Sequence, residues 1–428
     1  MIIMLALNKE RNILFYIRNW LIFIILGNIL IACGIGGAST TTSIKQTNMV
    51  TPIATPQSPN LPLYITQTPG NSVCGNPNSA CTSVTICHPN QPNNCATVDN
   101  VLLDTGSFGL RLFTNNAIDS LNLPIESIFL LPRSRSIATC VTYGDNSANW
   151  GPVAIADVVL SGSLAQSVPI QLINTTYIGV ESNCASAIPY SSPATFGFNG
   201  ILGVGPLIND GGRYFSCDTK NCTHISISNR PQLQVSNPIG LFRESAYNNG
   251  LTLKFPNIGS SGGYGAIGYA IFGVGTNDDN AINSNINIYP IIPRNSIPIT
   301  MQTTLFNANS TGFLDTGSNG LFFDSSISSC TTGVANGWYC PNDNQSLYPS
   351  NQSKNGTYIP VNINIANAGA LFSTGNGAFA NLGSLYDGTN RYFDYGLPFF
   401  FSKTVYIGFK GKRSIIAPNV ESGPFWAF

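Results

Sequence analysis

Short apolar runs rich in β-branched and aromatic residues recur along most of the chain, separated by polar stretches, a pattern that is typical of β-strands. Clusters of Gly, Asn, Pro and Ser separate these runs and predict turns. The clearest predicted strands are 168–173, 251–255, 286–292, 358–365 and 404–409. The best helix signal covers 237–250, where Asn237 can cap, Pro238 occupies the first turn and Gly250 marks the end. The pattern therefore predicts a mainly β protein with few helices.

The N-terminal segment has a different pattern. Basic residues precede an apolar run at 21–32 that is short for a membrane span, which predicts a signal peptide over 1–32. The run ends in Leu-Ile-Ala-Cys at Cys33 and resembles the lipobox of bacterial lipoproteins. That resemblance implies a lipid on Cys33 that anchors the protein to the membrane. With Gly rather than Asp at position 34, it also implies the outer membrane, facing the periplasm or the cell surface. An ordinary signal peptide or an uncleaved anchor is the alternative.

Residues 33–63 contain many Ser, Thr and Pro residues and no apolar period, which predicts a flexible tether. The folded part is expected to begin at residue 64.

Composition excludes some classes of function. Charged residues make up 9% of the 428-residue chain and the formal net charge is zero, so no basic surface for nucleic acid is expected. Apolar residues make up 43%, which is ample for large cores.

The chain has 11 cysteines, and ten remain when Cys33 is set aside. An even number in an exported chain predicts a disulfide framework. Two predicted pairs lie close together in loop-like sequence, Cys217 with Cys222 and Cys330 with Cys340. Cys140 and Cys184 are left to pair with each other.

The other four cysteines lie in one segment rich in Asn and Pro and allow three pairings: Cys74, Cys81, Cys87 and Cys95. A metal site that includes His88 is the alternative for this segment. Because the spacing is not a paired CxxC, we expect disulfides and no metal.

One motif occurs twice. The stretch VLLDTGSFGL at 101–110 returns as GFLDTGSNGL at 312–321. One Asp-Thr-Gly followed by Ser or Thr is expected about once in a hundred chains of this length, so two copies indicate an internal duplication. A single copy is explained by turn formation, whereas two identical loops suit a symmetric pair of carboxylates. Such a pair shares one proton, so that one member acts as a base and the other as an acid.

The two motifs resemble those of the pepsin-like aspartic peptidases, and the resemblance covers nearly all of the mature chain. It implies a mainly β, bilobal fold of two β-barrels with an internal pseudo-twofold axis and a cleft between lobes at 64–280 and 281–428. It implies that Asp104 and Asp315 form the catalytic pair and that no cofactor is needed. The other loop residues would support them: Thr105, Gly106, Ser107, Thr316, Gly317 and Ser318. The threonines would join the two loops, and the serines would hydrogen-bond the outer carboxylate oxygens.

The resemblance also implies a flap, a hairpin that closes over substrate, at Tyr143, Gly144 and Asp145. Arg111 stands where the family usually has a Trp that bonds the flap Tyr, which leaves Trp150 as a candidate partner.

Each half of the family fold also threads an apolar segment ending in Gly beneath its Asp loop. The matching segments here are 198–205 and 393–401, and Asp394 interrupts the second one. The stretch from 393 to 408 also resembles an uncharacterised bacterial family of exported proteins grouped with aspartic peptidases.

Together these features predict a monomeric aspartic endopeptidase that hydrolyses extended peptides with an activated water. The main alternative is a catalytically silent pepsin-fold protein that acts as a surface binding protein or an inhibitor. A β-rich adhesin or structural lipoprotein is a third hypothesis, which would make the repeated motif accidental. A serine hydrolase is a poor fit, because the two histidines, His88 and His224, lie beside cysteines in loop sequence.

Overall fold

The computed structural model describes residues 50–65, 74, 77–144, 147–179, 184, 188–189, 192–294, 297–306, 308–386, 392–413 and 422–428. The predicted signal peptide, Cys33 and most of the predicted tether lie outside these ranges.

The first half of the chain forms these strands: β1 Asn60–Ile65, β2 Ala80–Cys87, β3 Cys95–Asp104, β4 Phe108–Phe113, β5 Ser127–Leu130, β6 Arg133–Thr142, β7 Ser147–Leu160, β8 Ser163–Ile173, β9 Ile188–Pro189, β10 Gly200–Val204, β11 Arg213–Cys217, β12 Cys222–Ile225, β13 Gly250–Lys254 and β14 Ala266–Phe272. The second half forms these: β15 Ile288–Pro290, β16 Met301–Leu305, β17 Ala308–Leu314, β18 Leu321–Phe323, β19 Gln345–Leu347, β20 Ser350–Gln352, β21 Tyr358–Pro360, β22 Ile363–Ile365, β23 Gly383–Ser384, β24 Tyr392–Tyr395, β25 Thr404–Gly408 and β26 Phe425–Ala427.

The helices between these strands are short. They are α1 Asn116–Ser120, α2 Pro193–Phe196, α3 Ala368–Ser373 and α4 Leu397–Phe400, with 3₁₀ turns at Pro231–Leu233, Ile239–Leu241, Asp278–Asn280 and Gly333–Ala335. A search of the described residues for a helix long and apolar enough to cross a membrane found none. The predicted mainly β, bilobal fold is confirmed.

A shared sheet joins the two lobes. Its strands lie side by side in the order β1, β14, β13, β25, β26 and β15, three from each half of the chain. The boundary near residue 280 thus separates the two halves of the sequence but not this sheet. Strands β15, β25 and β26, which follow the boundary, complete the sheet that β1, β13 and β14 begin.

Each lobe repeats one strand arrangement around its Asp-Thr-Gly-Ser loop. In the first lobe β10 lies between β3, to which it is parallel, and β4, to which it is antiparallel. In the second lobe β24 lies in the same way between β17 and β18. The loop therefore turns around the end of the inserted strand in both lobes, as the threaded segments 198–205 and 393–401 predicted. This equivalence is the structural basis of the pseudo-twofold axis.

A glycine lies at or next to the end of each inserted strand for a steric reason. A Cβ on Gly203 would lie 2.6 Å from the backbone N of Phe108, and one on Gly396 would lie 2.0 Å from the carbonyl oxygen of Gly320. Separations under 3 Å between such atoms are forbidden, so only glycine lets the Asp loop fold this closely over the strand.

All ten cysteines after Cys33 form disulfides in the structure. The predicted pairs Cys140–Cys184, Cys217–Cys222 and Cys330–Cys340 are confirmed. In the crowded segment the pairs are Cys74–Cys81 and Cys87–Cys95, so its sulfurs are covalently paired and cannot act as metal ligands.

Two predictions from the pattern are wrong. The tether does not extend to residue 63, because β1 begins at Asn60 and buries Leu61 and Leu63 against β14. The predicted helix at 237–250 is only a 3₁₀ turn at Ile239–Leu241. The Asn248 amide donates to the Phe242 carbonyl there, so a side chain satisfies a backbone group that a helix would have used.

Asn78 connects the first lobe to the second. Its side-chain Nδ2 donates to the carbonyl oxygens of Asn319 (3.0 Å) and Phe379 (2.9 Å), and its Oδ1 accepts from the Phe379 N–H (2.7 Å). Its φ of 58° is in the left-handed region, which Asn tolerates better than most residues. One buried side chain therefore joins the segment before β2 to the residue that follows Ser318.

We expect Asn78→Ala to lower the free energy of unfolding by about 3 kcal/mol, from unsatisfied buried groups and a strained φ. Asn78→Gly accommodates the φ and loses only the hydrogen bonds, so it should cost about 2 kcal/mol. Urea unfolding of both variants measures the difference. Equal stability of Asn78→Ala and the wild type would contradict this role.

Candidate active site

The two Asp-Thr-Gly-Ser loops meet at the junction of the lobes. Asp104 is the last residue of β3, Asp315 directly follows β17, and both are completely buried. A Cβ on Gly106 would lie 2.6 Å from the Asp315 carboxyl carbon, and one on Gly317 would lie 2.7 Å from that of Asp104. Each loop thus places its glycine against the carboxyl of the other loop, and the missing side chains make room for the pair.

Reciprocal hydrogen bonds between Thr105 and Thr316 hold the loops together. The Thr105 N–H donates to the Thr316 hydroxyl (3.1 Å), and the Thr316 N–H donates to the Thr105 hydroxyl (2.9 Å). Each hydroxyl then donates to the opposite loop, Thr105 to the Leu314 carbonyl (3.0 Å) and Thr316 to the Leu103 carbonyl (2.8 Å). All of these groups are buried, so the four bonds fix the two aspartates relative to each other.

The Oδ1 atoms of the two carboxyls, called here the inner oxygens, have equivalent partners. The Gly106 N–H donates to Oδ1 of Asp104, and the Gly317 N–H donates to Oδ1 of Asp315, both at 2.8 Å.

The Oδ2 atoms, called here the outer oxygens, have different surroundings in the two loops. The Ser318 hydroxyl lies 2.9 Å from Oδ2 of Asp315, as predicted. The Ser107 hydroxyl lies near the Asp104 carboxyl, but it does not meet hydrogen-bond geometry with any described group, and neither does Oδ2 of Asp104. Ser107 is still close enough to oppose the rise in the pKa of Asp104, so the predicted contact is present without full hydrogen-bond geometry.

Burial is the main influence on both carboxyls. It raises the pKa of Asp104 and raises the pKa of Asp315 well above its ordinary value, because a charged carboxylate loses its hydration there. The neighbouring charge of Asp104 raises the pKa of Asp315 further. Two groups in such contact titrate as a pair that holds one proton over a range of pH. The arrangement can therefore supply one base and one acid at the same place.

A third buried carboxyl, Asp394 of β24, lies beside the pair. Its Oδ2 is 2.6 Å from the Ser318 hydroxyl, and its Oδ1 has no hydrogen-bond partner among the described residues. Burial raises the pKa of Asp394 well above its ordinary value. The sequence signal was a single charged residue in the apolar run at 393–401, but its contact with Ser318 depends on strand register.

Tyr143 is not open to a cleft. It is 3% exposed and packs in an apolar cluster that includes Phe113 and Phe196. Its hydroxyl accepts from the Asn149 amide (2.6 Å), rather than from Trp150, whose indole N–H donates to the Tyr177 carbonyl. Gly144 is an exposed turn residue between β6 and β7, and Asp145 lies outside the described residues.

Arg111 stands where the pepsin-like family usually has a Trp that bonds the flap Tyr, but its partner here is an aspartate. Its guanidinium pairs with Asp210 at 2.6 Å, and both side chains are almost completely buried. Gln171 accepts a second hydrogen bond from it, and the Tyr214 hydroxyl donates to the other Asp210 oxygen. This buried network supports the sheet beneath the first loop. A single sequence cannot reveal it, because Arg111 and Asp210 are far apart along the chain.

Among the described residues, no group of three or more His, Cys, Asp or Glu side chains is placed to hold a metal ion.

A family model described as "Protein of unknown function (DUF3443)" matches residues 57–428. The chain belongs to the DUF3443 family. A search of the curated proteins found no match. Among solved structures, the aspartic proteinase from Irpex lacteus is similar to this DUF3443 chain, with 13% identity and a TM-score of 0.45 over 86% of this chain and 96% of that one.

Thr105→Val tests the junction of the loops in this DUF3443 protein. The substitution keeps the shape but leaves the Thr316 N–H and the Leu314 carbonyl unsatisfied, so we expect a loss of about 3 kcal/mol. Thr97→Val is the control, because Thr97 is an exposed residue of β3, the strand that leads into the loop, and should change stability by less than about 0.5 kcal/mol. Chemical unfolding gives both values, and similar small losses would mean that the loops are held by other contacts.

The stability of the protein should depend on pH through the buried pair. The folded-state pKa of Asp315 is raised, so the folded chain binds more protons than the unfolded chain between the two pKa values. Its contribution is therefore complete below the unfolded pKa and is lost as pH rises through the folded one. We expect the free energy of unfolding to fall less between about pH 4 and about pH 7 in Asp315→Asn than in the wild type.

Asp279→Asn is the control of opposite sign. Burial alone would raise the pKa of Asp279, but hydrogen bonds from Ser58 outweigh it and lower the pKa. Its contribution is present above the unfolded pKa, so Asp279→Asn should lose more stability at the higher pH. An unchanged pH dependence in Asp315→Asn would contradict the raised pKa.

Proposed function

We propose that this protein is an aspartic endopeptidase. One observation supports this best: two carboxyls on identical loops are held against each other by reciprocal threonine bonds in a buried site. Keeping two like charges together without a cation is unfavourable, and a symmetric pair of loops that does so suits shared-proton catalysis.

In the proposed reaction a water molecule lies between Asp104 and Asp315. The ionised carboxylate takes a proton from the water as it attacks the amide carbon, and the protonated carboxyl donates to the carbonyl oxygen. No covalent intermediate forms. The substrate is an extended peptide that lies under the hairpin of β6 and β7, whose exposed turn at Gly144 would cover it.

A silent binding or inhibitor protein is the second candidate. Two observations favour it: both aspartates are completely buried, and Tyr143 is enclosed in an apolar cluster. A peptidase of this shape has to open before a peptide can reach the pair, whereas a binding protein needs no such access.

We also propose that the protein is exported and attached to the membrane through a lipid on Cys33. Its five disulfides support an oxidising compartment, because disulfides persist there and are rare in the cytosol.

The test is cleavage of an unstructured protein by the purified chain between about pH 3 and about pH 7. Asp104→Asn and Asp315→Asn should each lower the rate by about 10³-fold or more, since either change removes the shared proton chemistry. Asp157→Asn is the matched control, because Asp157 is a buried carboxyl that accepts backbone N–H groups of Asn90 and Ser167 away from the pair.

Cleavage that is lost in both pair variants and kept in Asp157→Asn would establish the peptidase. A folded protein that cleaves nothing across this range would favour the binding protein. Activity that survives both pair substitutions would exclude the proposed mechanism.

A further inference from the structure

The Ser318 hydroxyl lies between two carboxyl oxygens. It is 2.9 Å from Oδ2 of Asp315 and 2.6 Å from Oδ2 of Asp394, both of which are hydrogen-bond distances. A hydroxyl has one hydrogen to donate, and an ionised carboxylate has none. One contact therefore uses the serine hydrogen, and the other needs a hydrogen on a carboxyl. Two ionised carboxylates could only share that hydrogen in a weaker bifurcated bond, so both contacts are full hydrogen bonds only when at least one of the two aspartates is a neutral acid.

The surroundings distinguish the two acids. Asp315 accepts from the Gly317 N–H at Oδ1 and has Ser318 at Oδ2, so a charge there has two donors available. The Asp394 side chain has a hydrogen bond with Ser318, and its Oδ1 has no hydrogen-bond partner among the described residues. A buried charge without donors is costly, so the neutral acid belongs on Asp394.

The elements packed around Asp394 provide no cation. By strand register it lies opposite Phe313 of β17 and Phe322 of β18, and neither strand carries a titratable residue. The titratable groups that interact with it are Asp104, Asp315 and Tyr386. Tyr392 and Tyr395 are on its own strand. Neither of the two ion pairs in the described part of the chain includes Asp394.

We propose that Asp394 is a positioning residue, a neutral carboxylic acid that donates to the Ser318 oxygen and so directs the Ser318 hydrogen onto Asp315. The proton chain runs from Asp394 through Ser318 to Asp315, while the pair keeps its own shared proton. This inference rests on the proposed peptidase function only for its catalytic consequence. The proton on Asp394 is a property of the folded protein.

The consequence concerns the alkaline side of the pH profile. When Asp394 ionises, its charge attracts the Ser318 hydrogen and Asp315 loses that donor. Asp394→Asn cannot ionise, and its amide still donates to Ser318. Asp394→Leu has a similar volume and no donor. We expect Asp394→Asn to keep a kcat about tenfold above that of Asp394→Leu, with similar KM values, since one oriented hydrogen bond near a charge is worth about 1.4 kcal/mol or more.

The limb of the kcat/KM profile at higher pH decides between a neutral and a charged Asp394. If Asp394 is neutral in the active enzyme, this limb stays in place or moves to higher pH in Asp394→Asn. If Asp394 is charged, removal of a like charge lowers the pKa of the pair, and the limb moves down by about 1 pH unit. A downward shift, or equal kcat values for the Asn and Leu variants, overturns the proposal.

Infrared spectroscopy tests the proton without any need for activity. At about pH 6, above the ordinary range of aspartate pKa values, the full-length wild type should show a neutral carboxylic acid band of Asp394 in addition to that of the pair, and Asp394→Asn should lack only the Asp394 band. Asp157→Asn should keep both bands, because Asp157 is paired with backbone donors elsewhere. If no variant cleaves peptide, the peptidase proposal fails and the infrared result still judges Asp394. If Asp394→Asn loses no carboxylic acid absorbance relative to the wild type, the inference is wrong even in an active enzyme.

Discussion

The four hydrogen bonds of Thr105 and Thr316 are the contacts on which the rest of the site depends. They link the end of β3 to the end of β17, and so fix where the two lobes meet at the site. Every bond crosses from one lobe to the other, and none can form within a single lobe. The shared sheet and Asn78 add further links, but only the threonines act within one residue of both carboxyls.

Charge is the second constraint on this region. Asp104, Asp315 and Asp394 are completely buried, and Arg111, the fully buried cation in the described part of the chain, is paired elsewhere with Asp210. Without a cation, protons are the available means of neutralising three close carboxyls. Arg111 and Asp394 thus solve the same problem in two ways: the arginine brings its own counter-ion, and the aspartate keeps its proton.

The repeated motif predicted the paired loops by itself, and its resemblance to the pepsin-like aspartic peptidases implied the two-lobed fold and the threaded strands. The disulfides were predictable where two cysteines were close or left over. The helix at 237–250 failed because local capping signals did not show that Asn248 would satisfy the Phe242 carbonyl. The partners of Tyr143, Ser107 and Asp394 depend on strand register and on packing between distant segments, which periodicity does not encode.

The difference between the loops matters as much as their likeness. Their backbones repeat each other down to the glycine N–H that each inner oxygen accepts. The outer oxygens do not: Asp315 has Ser318 with Asp394 behind it, while Ser107 lies near the Asp104 carboxyl without full hydrogen-bond geometry. A perfectly symmetric pair would hold its shared proton on either member equally often, so neither aspartate would be set in advance as the base or the acid. A third carboxyl on one side only is a physical means of making two identical loops unequal and of fixing those roles in the proposed reaction.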